Sequence, residues 1–362
     1  MTILDNPKQI TKLDKSNIYG SITHLPQQCQ HAWEETQKLT LPPAYQKINK
    51  LIMTGMGGSG LGARIIESVY SSDLKVPLHR INDYDLPTWA DKHTLVICTS
   101  FSGTTEETLS TVKQAQAKGC PWIAIATGGS LIDLAKKNQA PFYQIDPVHN
   151  PSKQPRMAIG YLLTSQLVIA HKAKLIPLSQ KEFNHLLNII NQVIDKNQQS
   201  IKTPNNPAKK LAQIFHQKEV IFVAARHLIG AGHTAKNQMN ENAKNLSHRH
   251  DLPELNHHLM EGLRFPDINK KDLLFFFLNS QLYPQRLQQR LQITQEVVKK
   301  NKITSTLWQA GSKTKLSQAF EFIQFAAFVN FYLSMLNHLD PAPIPWVDYF
   351  KKKLGQSLGQ WK

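Results

Sequence analysis

The chain has 362 residues, 41% of them hydrophobic, with 42 Lys and Arg against 26 Asp and Glu and a formal net charge of +16. At roughly 150 residues per domain this length favours about two domains, each with its own core, and no apolar run approaches the roughly 20 residues a membrane span needs. The lysines are spread along the whole chain and no basic helix carries interleaved aromatics; this argues against sequence-specific nucleic-acid binding and leaves a solvated basic surface able to steer anionic metabolites.

The opening stretch MTILDNPKQITKLDKSNIYG is polar and mixed in charge and lacks the apolar core of a secretory signal, so a cytoplasmic protein is expected. Residues 1–48 read as polar helices with a break at LPPAY. Strand–turn–helix units follow. KLIMTG is a strand, with a helix starting near Ser59. LKVPLHRI and HTLVICTS are the second and third strands, and TTEETLSTVKQAQAKG is a helix closed by Gly119. PWIAIAT and PFYQID are further strands around a helix through SLIDLAKKNQ. Short apolar runs alternating with helices imply a parallel sheet covered on both faces.

VHNPSKQPRMAIG connects to an apolar helix, two polar-faced helices come next, and KTPNNPAKK reads as a loop. EVIFVAA then repeats the pattern: a strand, a glycine-bearing turn RHLIGAGH, and a helix through TAKNQMNENAKNLSH. DLLFFFLN and ITSTLW are strands, a long helix runs from about Ser317 to Asn337, DPAPIP stops it, and WVDYFKKKLGQ forms a last helix. The two halves are related α/β units. The three cysteines, Cys29, Cys98 and Cys120, are widely spaced, which fits neither a disulfide framework nor a zinc site. Cys98 ends an apolar strand and reads as a small buried hydrophobe.

The turn GMGGSG fits G-x-G-x-x-G through Gly55, Gly57 and Gly60. A helix N-terminus offers unpaired N–H groups and partial positive charge, and glycines let an anion come close, so this turn suits a phosphate whichever molecule carries it. A dinucleotide site would want an acidic residue roughly 20 positions on, which Asp83 or Asp85 supplies. The second loop, CTSFSGTTEETL, sets Ser100, Ser102, Thr104 and Thr105 around Gly103 just before a helix. Helix capping explains one hydroxyl there and not four. Hydroxyls and backbone N–H groups together surround a tetrahedral phosphate, and a dinucleotide has no need of this second cradle.

GMGGSG followed by SFSGTTEET resembles a sugar-isomerase (SIS) domain, a fold that binds phosphosugars. Matched by position, the resemblance makes Ser59, Ser100, Ser102 and Thr105 phosphate ligands, with backbone help from Gly57 and Gly58. Two later motifs narrow it. Asn240 to Lys244 is close to N-E-N-A-K and Pro253 to His257 reads P-E-L-N-H, as in the bifunctional phosphoglucose/phosphomannose isomerases. The resemblance implies an α/β chain of two SIS-type domains, each a mainly parallel sheet flanked by helices. Residues 1–155 would be the first domain with its leading helices, 156–345 the second, and 346–362 a C-terminal helix returning towards the active site. It implies that Glu241 shuttles a proton between C1 and C2 of a phosphorylated hexose, and that His257 assists ring opening from the partner subunit of a homodimer. Arg156, just before an apolar helix, would steady charge on the C1 and C2 oxygens. The D-P-x-P stretch and following helix place Lys351 in the site, with Lys352 and Lys353 as alternative registers.

The reaction so implied interconverts glucose-6-phosphate, and in the family mannose-6-phosphate, with fructose-6-phosphate through a cis-enediol. No cofactor and no metal is needed, because the proton moves on a carboxylate. Three features depart from the family pattern: Ala342 where a threonine often follows D-P, His258 after His257, and TAKNQM before the N-E-N motif. A phosphosugar sensor without catalysis, an isomerase of another phosphosugar, and a nicotinamide enzyme using the first turn are the alternatives.

Overall fold

The structure is a computed structural model describing residues 2–358. Residues 359–362, the end of the expected C-terminal helix segment 346–362, lie outside the described residues. Three helices lead, α1 (Pro7–Leu13), α2 (Ile18–Thr23) and α3 (Leu25–Gln37). The first sheet is built from β1 (Lys50–Thr54), α4 (Leu61–Val69), β2 (Leu78–Ile81), β3 (Thr94–Thr99), α5 (Glu106–Ala117), β4 (Trp122–Ala126), α6 (Gly129–Lys137) and β5 (Phe142–Gln144). Helices α7 (Ile159–Lys172), α8 (Gln180–Asn197) and α9 (Pro207–Phe215) connect to the second sheet. That sheet follows from β6 (Glu219–Ala225), α10 (Ile229–Gln238), β7 (Ser247–Leu252), α11 (Asn269–Asp272), β8 (Leu273–Asn279), α12 (Gln285–Lys300) and β9 (Thr304–Gln309). Helices α13 (Lys315–Leu336) and α14 (Pro345–Ser357) close the described chain.

All strands run parallel, in the orders β2-β1-β3-β4-β5 and β7-β6-β8-β9. The second order repeats the first four positions of the first, so the related halves read in the sequence are present as topology. The strands of the first sheet alternate faces. Leu51, Met53, Leu95 and Ile97 join the large core shared with α3, α7 and α13, while Ile52, Val96 and Cys98 pack beneath α5 and α6. Burial on both faces is why these segments read as continuous apolar runs. Cys98 is fully buried and burial pushes its thiol up to about 12, so it is an inert core group.

Four readings need correction. The stretch TAKNQMNENAKNLSH is not one helix: α10 starts earlier, inside the glycine turn, and gives way at Met239–Ala243 to a single wide turn with π-type bonding. Ser247–Leu252 is a strand where the sequence showed none, because an edge strand needs only one apolar face and SHRHDL barely has one. KTPNNPAKK is only partly a loop: Asn206 accepts from Lys209 N at 3.0 Å and Pro207 begins α9. Finally, α13 is long and apolar enough to cross a membrane by length and composition, yet most of it is buried against α8, α9 and α10, which makes it a core helix here.

Candidate active site

The strand order places the loops after β1 and β3 side by side, where connections leave the sheet in opposite directions and ligands of such sheets gather. After β1 the backbone must turn inside tight limits. A Cβ on Gly55 would lie 2.9 Å from Ser59 and Thr99 backbone atoms, and Gly57 has φ +51°. The turn Gly57–Gly60 then opens α4. Ser59 is buried and its Oγ accepts from Phe101 N at 3.0 Å, so its proton stays available to an anion.

The second loop is shaped by Ser100. Its Oγ accepts from Gly103 N at 3.1 Å and Thr105 N at 3.4 Å and shares a 2.8 Å hydrogen bond with Thr105 Oγ1. Ser102 and Thr104 are exposed and joined at 2.9 Å. Gly103, at φ +72°, faces the Gly128 carbonyl so closely that a Cβ would come within 1.8 Å of it. Ser59, Ser100, Ser102 and Thr105 are thereby gathered with Gly57 and Gly58 at one mouth. Ser100 is the frame of the loop, while Ser102 faces solvent. At the end of β2 the residue beside the first turn is Asn82, whose Nδ2 donates to the Gly55 carbonyl at 2.6 Å. Asp83 instead accepts from Tyr84 N, and Asp85 from Gln114 Nε2. Neither is positioned by a hydrogen bond at the glycine turn.

The first turn also touches the arginine. A Cβ on Gly58 would sit 3.3 Å from Arg156 Cα. Arg156 is 3% exposed and held from three directions. Its Nε donates to Asn242 Oδ1 at 2.5 Å, Nη1 to Gln154 Oε1 at 3.0 Å, and Nη2 to the Pro341 and Ala342 carbonyls at 2.9 and 2.6 Å. Nη1 also lies 3.9 Å from Glu241 Oε2. Glu241 occupies the π turn after α10, an insertion that often marks functional sites because it re-aims one side chain.

Burial raises the Glu241 carboxyl above its usual range, against the pull of Arg156, Lys244, Lys351 and Lys236. Lys244 is lowered to about 8, first by lost hydration and then by Arg156. Its Nζ donates to the Glu241 and Pro341 carbonyls, each at 2.8 Å, fastening the π turn to the loop before α14. Lys351 is exposed, and its charge bears on Glu241; Lys353 stands over the Tyr349 ring at 6.0 Å. Glu241 and Arg156 are thus brought together, and the charge of Lys351 reaches the carboxyl from the exposed helix α14. His257 is not: it is exposed, in the turn Glu254–His257 beyond β7, and among the described residues its side chain makes no hydrogen bond or ion pair. Asn242 and Gln154 as holders of Arg156, and Lys244 as a tether, are not apparent from the sequence, although two of the three stand in the N-E-N-A-K motif itself.

A half-buried carboxylate that titrates above its usual range, beside a fixed guanidinium and next to a phosphate cradle, can move a proton on a bound phosphate ester. Residues 204–354 match the family model of the bacterial phospho-glucose isomerase C-terminal SIS domain. The chain is 29% identical over 346 residues to a bifunctional phosphoglucose/phosphomannose isomerase of Caldicellulosiruptor bescii, covering 94% of this chain and 99% of that one. It is 29% identical to the protein of the same name from Thermoplasma acidophilum, over 84% and 90% of the two chains. Among solved structures, a hypothetical protein of Thermus thermophilus superimposes with a TM-score of 0.75 at 14% identity, covering 97% and 93%. The chain therefore has the two-sheet SIS-type fold and is similar, over nearly its whole length, to the bifunctional phosphoglucose/phosphomannose isomerases.

Proposed function

We propose that this chain is an aldose–ketose isomerase that interconverts glucose-6-phosphate and mannose-6-phosphate with fructose-6-phosphate. The names of its relatives supply the substrates, and one observation supports the chemistry: Arg156 joins the phosphate turn, through its contact with Gly58, to the Glu241 carboxylate 3.9 Å from its fork. Substrate anchoring and proton transfer are then set by one residue.

In this mechanism Ser59, Ser100, Ser102 and Thr105, with the N–H groups of Gly57 and Gly58, hold the phosphate. Glu241 removes the proton from C2 of the open-chain aldose. The C–H electron pair forms the C1=C2 bond of a cis-enediol, and the carbonyl oxygen gains a proton. Glu241 then returns its proton to C1 while the O2–H bond breaks and its electron pair forms the C2=O bond; the proton lost from O2 balances the one gained by O1, and the product is the ketose. Arg156 and Lys351 stabilise negative charge on O1 and O2 as it develops. His257 opens the sugar ring at the site of a partner subunit, which makes the working unit a homodimer.

A coupled assay on the three hexose phosphates, with wild type and Glu241→Gln, tests this. Turnover by the wild type, with the variant binding sugar phosphate but turning it over at least 100-fold more slowly, is expected. Binding without turnover by the wild type would point instead to a sensor.

A further inference from the structure

Beyond the candidate active site, four partly buried cations lie around the packed helices α4 and α10 and influence one another's charge: Arg64 on α4, Arg80 on β2, Lys236 on α10 and Arg249 on β7. The internal repeat accounts for their meeting. Arg80 pairs in register with Met53, and Arg249 with Phe222, each partner being the fourth residue of the first strand of its sheet in chain order. Glu67 follows Met53 by 14 positions, and Lys236 follows Phe222 by the same interval. Arg64 and His233 correspond in the same way. In the first half, Glu67 answers Arg80, with Oε2 2.6 Å from Nε. In the second half the equivalent place holds Lys236, a charge of opposite sign.

The helices α4 and α10 are pressed together there. A Cβ on Gly230 would lie 2.7 Å from the Arg64 carbonyl, and one on Gly232 3.7 Å from Arg249 Cδ. Arg249 reaches Asp251 through Nη1, but its buried Nε has no partner. Arg64 has one hydrogen bond to a side chain, to Asn82 Oδ1 at 3.2 Å. His233 is pushed down to about 3 by burial and these cations, so it stands neutral and adds no charge. Two carboxylates, Glu67 and Asp251, answer four fixed cations within the cluster, and the next carboxylate, Glu241, belongs to the candidate site. Cations half out of water and close together repel unless an anion joins them.

We propose that Arg64, Arg80, Lys236 and Arg249 form a second anion site, separate from the Ser100 loop, that binds a phosphate dianion. Arginine forks suit the oxyanion's planar pairs of acceptors, and a dianion balances the two unanswered charges. Asn82 accepts from Arg64 and donates to the Gly55 carbonyl, which joins the site to the first glycine turn, and the charge of Lys236 bears on Glu241. Occupancy is therefore felt at both parts of the active site, and the ligand is an anionic regulator or the second phosphate of a bisphosphorylated sugar.

The test is the stoichiometry of inorganic phosphate binding, by calorimetry in about 0.15 M KCl, where charges beyond about 8 Å are screened. Two phosphates per wild-type chain are expected, one in Arg64→Gln and one in Ser100→Ala. A single wild-type site that survives Arg64→Gln and is lost in Ser100→Ala overturns the second site and leaves the proposed active site standing. A single site lost in Arg64→Gln and kept in Ser100→Ala upholds the second site and removes the phosphate role of the Ser100 loop. If Arg64→Gln is unfolded, Lys236→Gln gives the same reading. Two sites retained in the folded Arg variant, or in Lys236→Gln, place the binding elsewhere and overturn the proposal. With the second site established, glucose-1,6-bisphosphate against glucose-6-phosphate distinguishes a bisphosphate subsite from a free-anion site: only the former makes Arg64→Gln weaken the bisphosphate alone.

Discussion

Arg156 Nη1 lies 3.9 Å from Glu241 Oε2, and this cation does not fully offset the burial of the carboxylate, which keeps its proton to higher pH than a free glutamate. A carboxyl that binds its proton more tightly in the folded chain than in the unfolded one favours folding fully below the unfolded value. That contribution is lost as pH rises through the folded value. Glu241→Gln should therefore denature at higher urea than wild type at pH 7, with the difference vanishing below about pH 4, where both states carry the proton. Its turnover should fall by about 10²–10⁴-fold. A variant less stable than wild type at pH 7 would contradict the strained-carboxylate account.

Arg156 makes a different prediction, because its fork is spent on structure. Arg156→Met leaves the Ala342 carbonyl without its donor, while the Pro341 carbonyl keeps Lys244 Nζ, and an unsatisfied buried acceptor of this kind costs about 1–3 kcal/mol. Arg156→Lys keeps a charge and cannot span Asn242 and both carbonyls. Its kcat should drop with little change in the binding of inorganic phosphate at the Ser100 loop. Equal losses of both would mean that Arg156 serves the cradle rather than the reacting carbons.

How much of this was legible follows from what each residue needs. Strands β1, β3, β4, β6 and β8 are buried on both faces and show as apolar runs. β7 and α12 do not: the first is an edge strand, and the second buries only Leu287, Leu291, Thr294 and Val298 among Gln and Arg. The phosphate loops could be read because hydroxyls and glycines cluster locally. The grip of Arg156 on Pro341 joins residues 185 positions apart, and nothing near either one announces it. The same holds for the cations of α4 and β7, which are ordinary surface residues until the repeat folds them together.

Asp5 and Lys209 give a stability test far from the chemistry. Lys209 is fully buried, its Nζ donating to Asp5 Oδ1 at 3.2 Å and to the Gln199 and Ile201 carbonyls. Burial alone would raise the Asp5 carboxyl, but hydrogen bonds from Thr203 and Lys209 outweigh it and hold it below its usual value. Asp5 thus stabilises the fold above the unfolded carboxyl's pKa, and this contribution is lost as pH falls through the lower folded value. Asp5→Asn should cost about 3–5 kcal/mol at pH 7, as for a buried pair stripped of one partner. The deficit should narrow in acid; a deficit independent of pH would locate the effect in packing.

His257 decides whether the site is completed by a second chain. It is exposed beyond β7 with no side-chain partner among the described residues, whereas Glu241 is held inside the fold. Suppose the ring-opening imidazole comes from the neighbour. Then Glu241→Gln and His257→Ala, each nearly inactive alone, recover activity when mixed and allowed to exchange subunits. In a mixed dimer one site inherits both defects and the other inherits neither, so random exchange restores about one site in four. Fructose-6-phosphate turnover should rise towards a quarter of wild type as exchange proceeds, at the rate at which mixed dimers form. If mixing restores nothing while mixed dimers are present, each site takes its imidazole from its own chain, and the loop after β7 must fold back towards Glu241 when sugar binds.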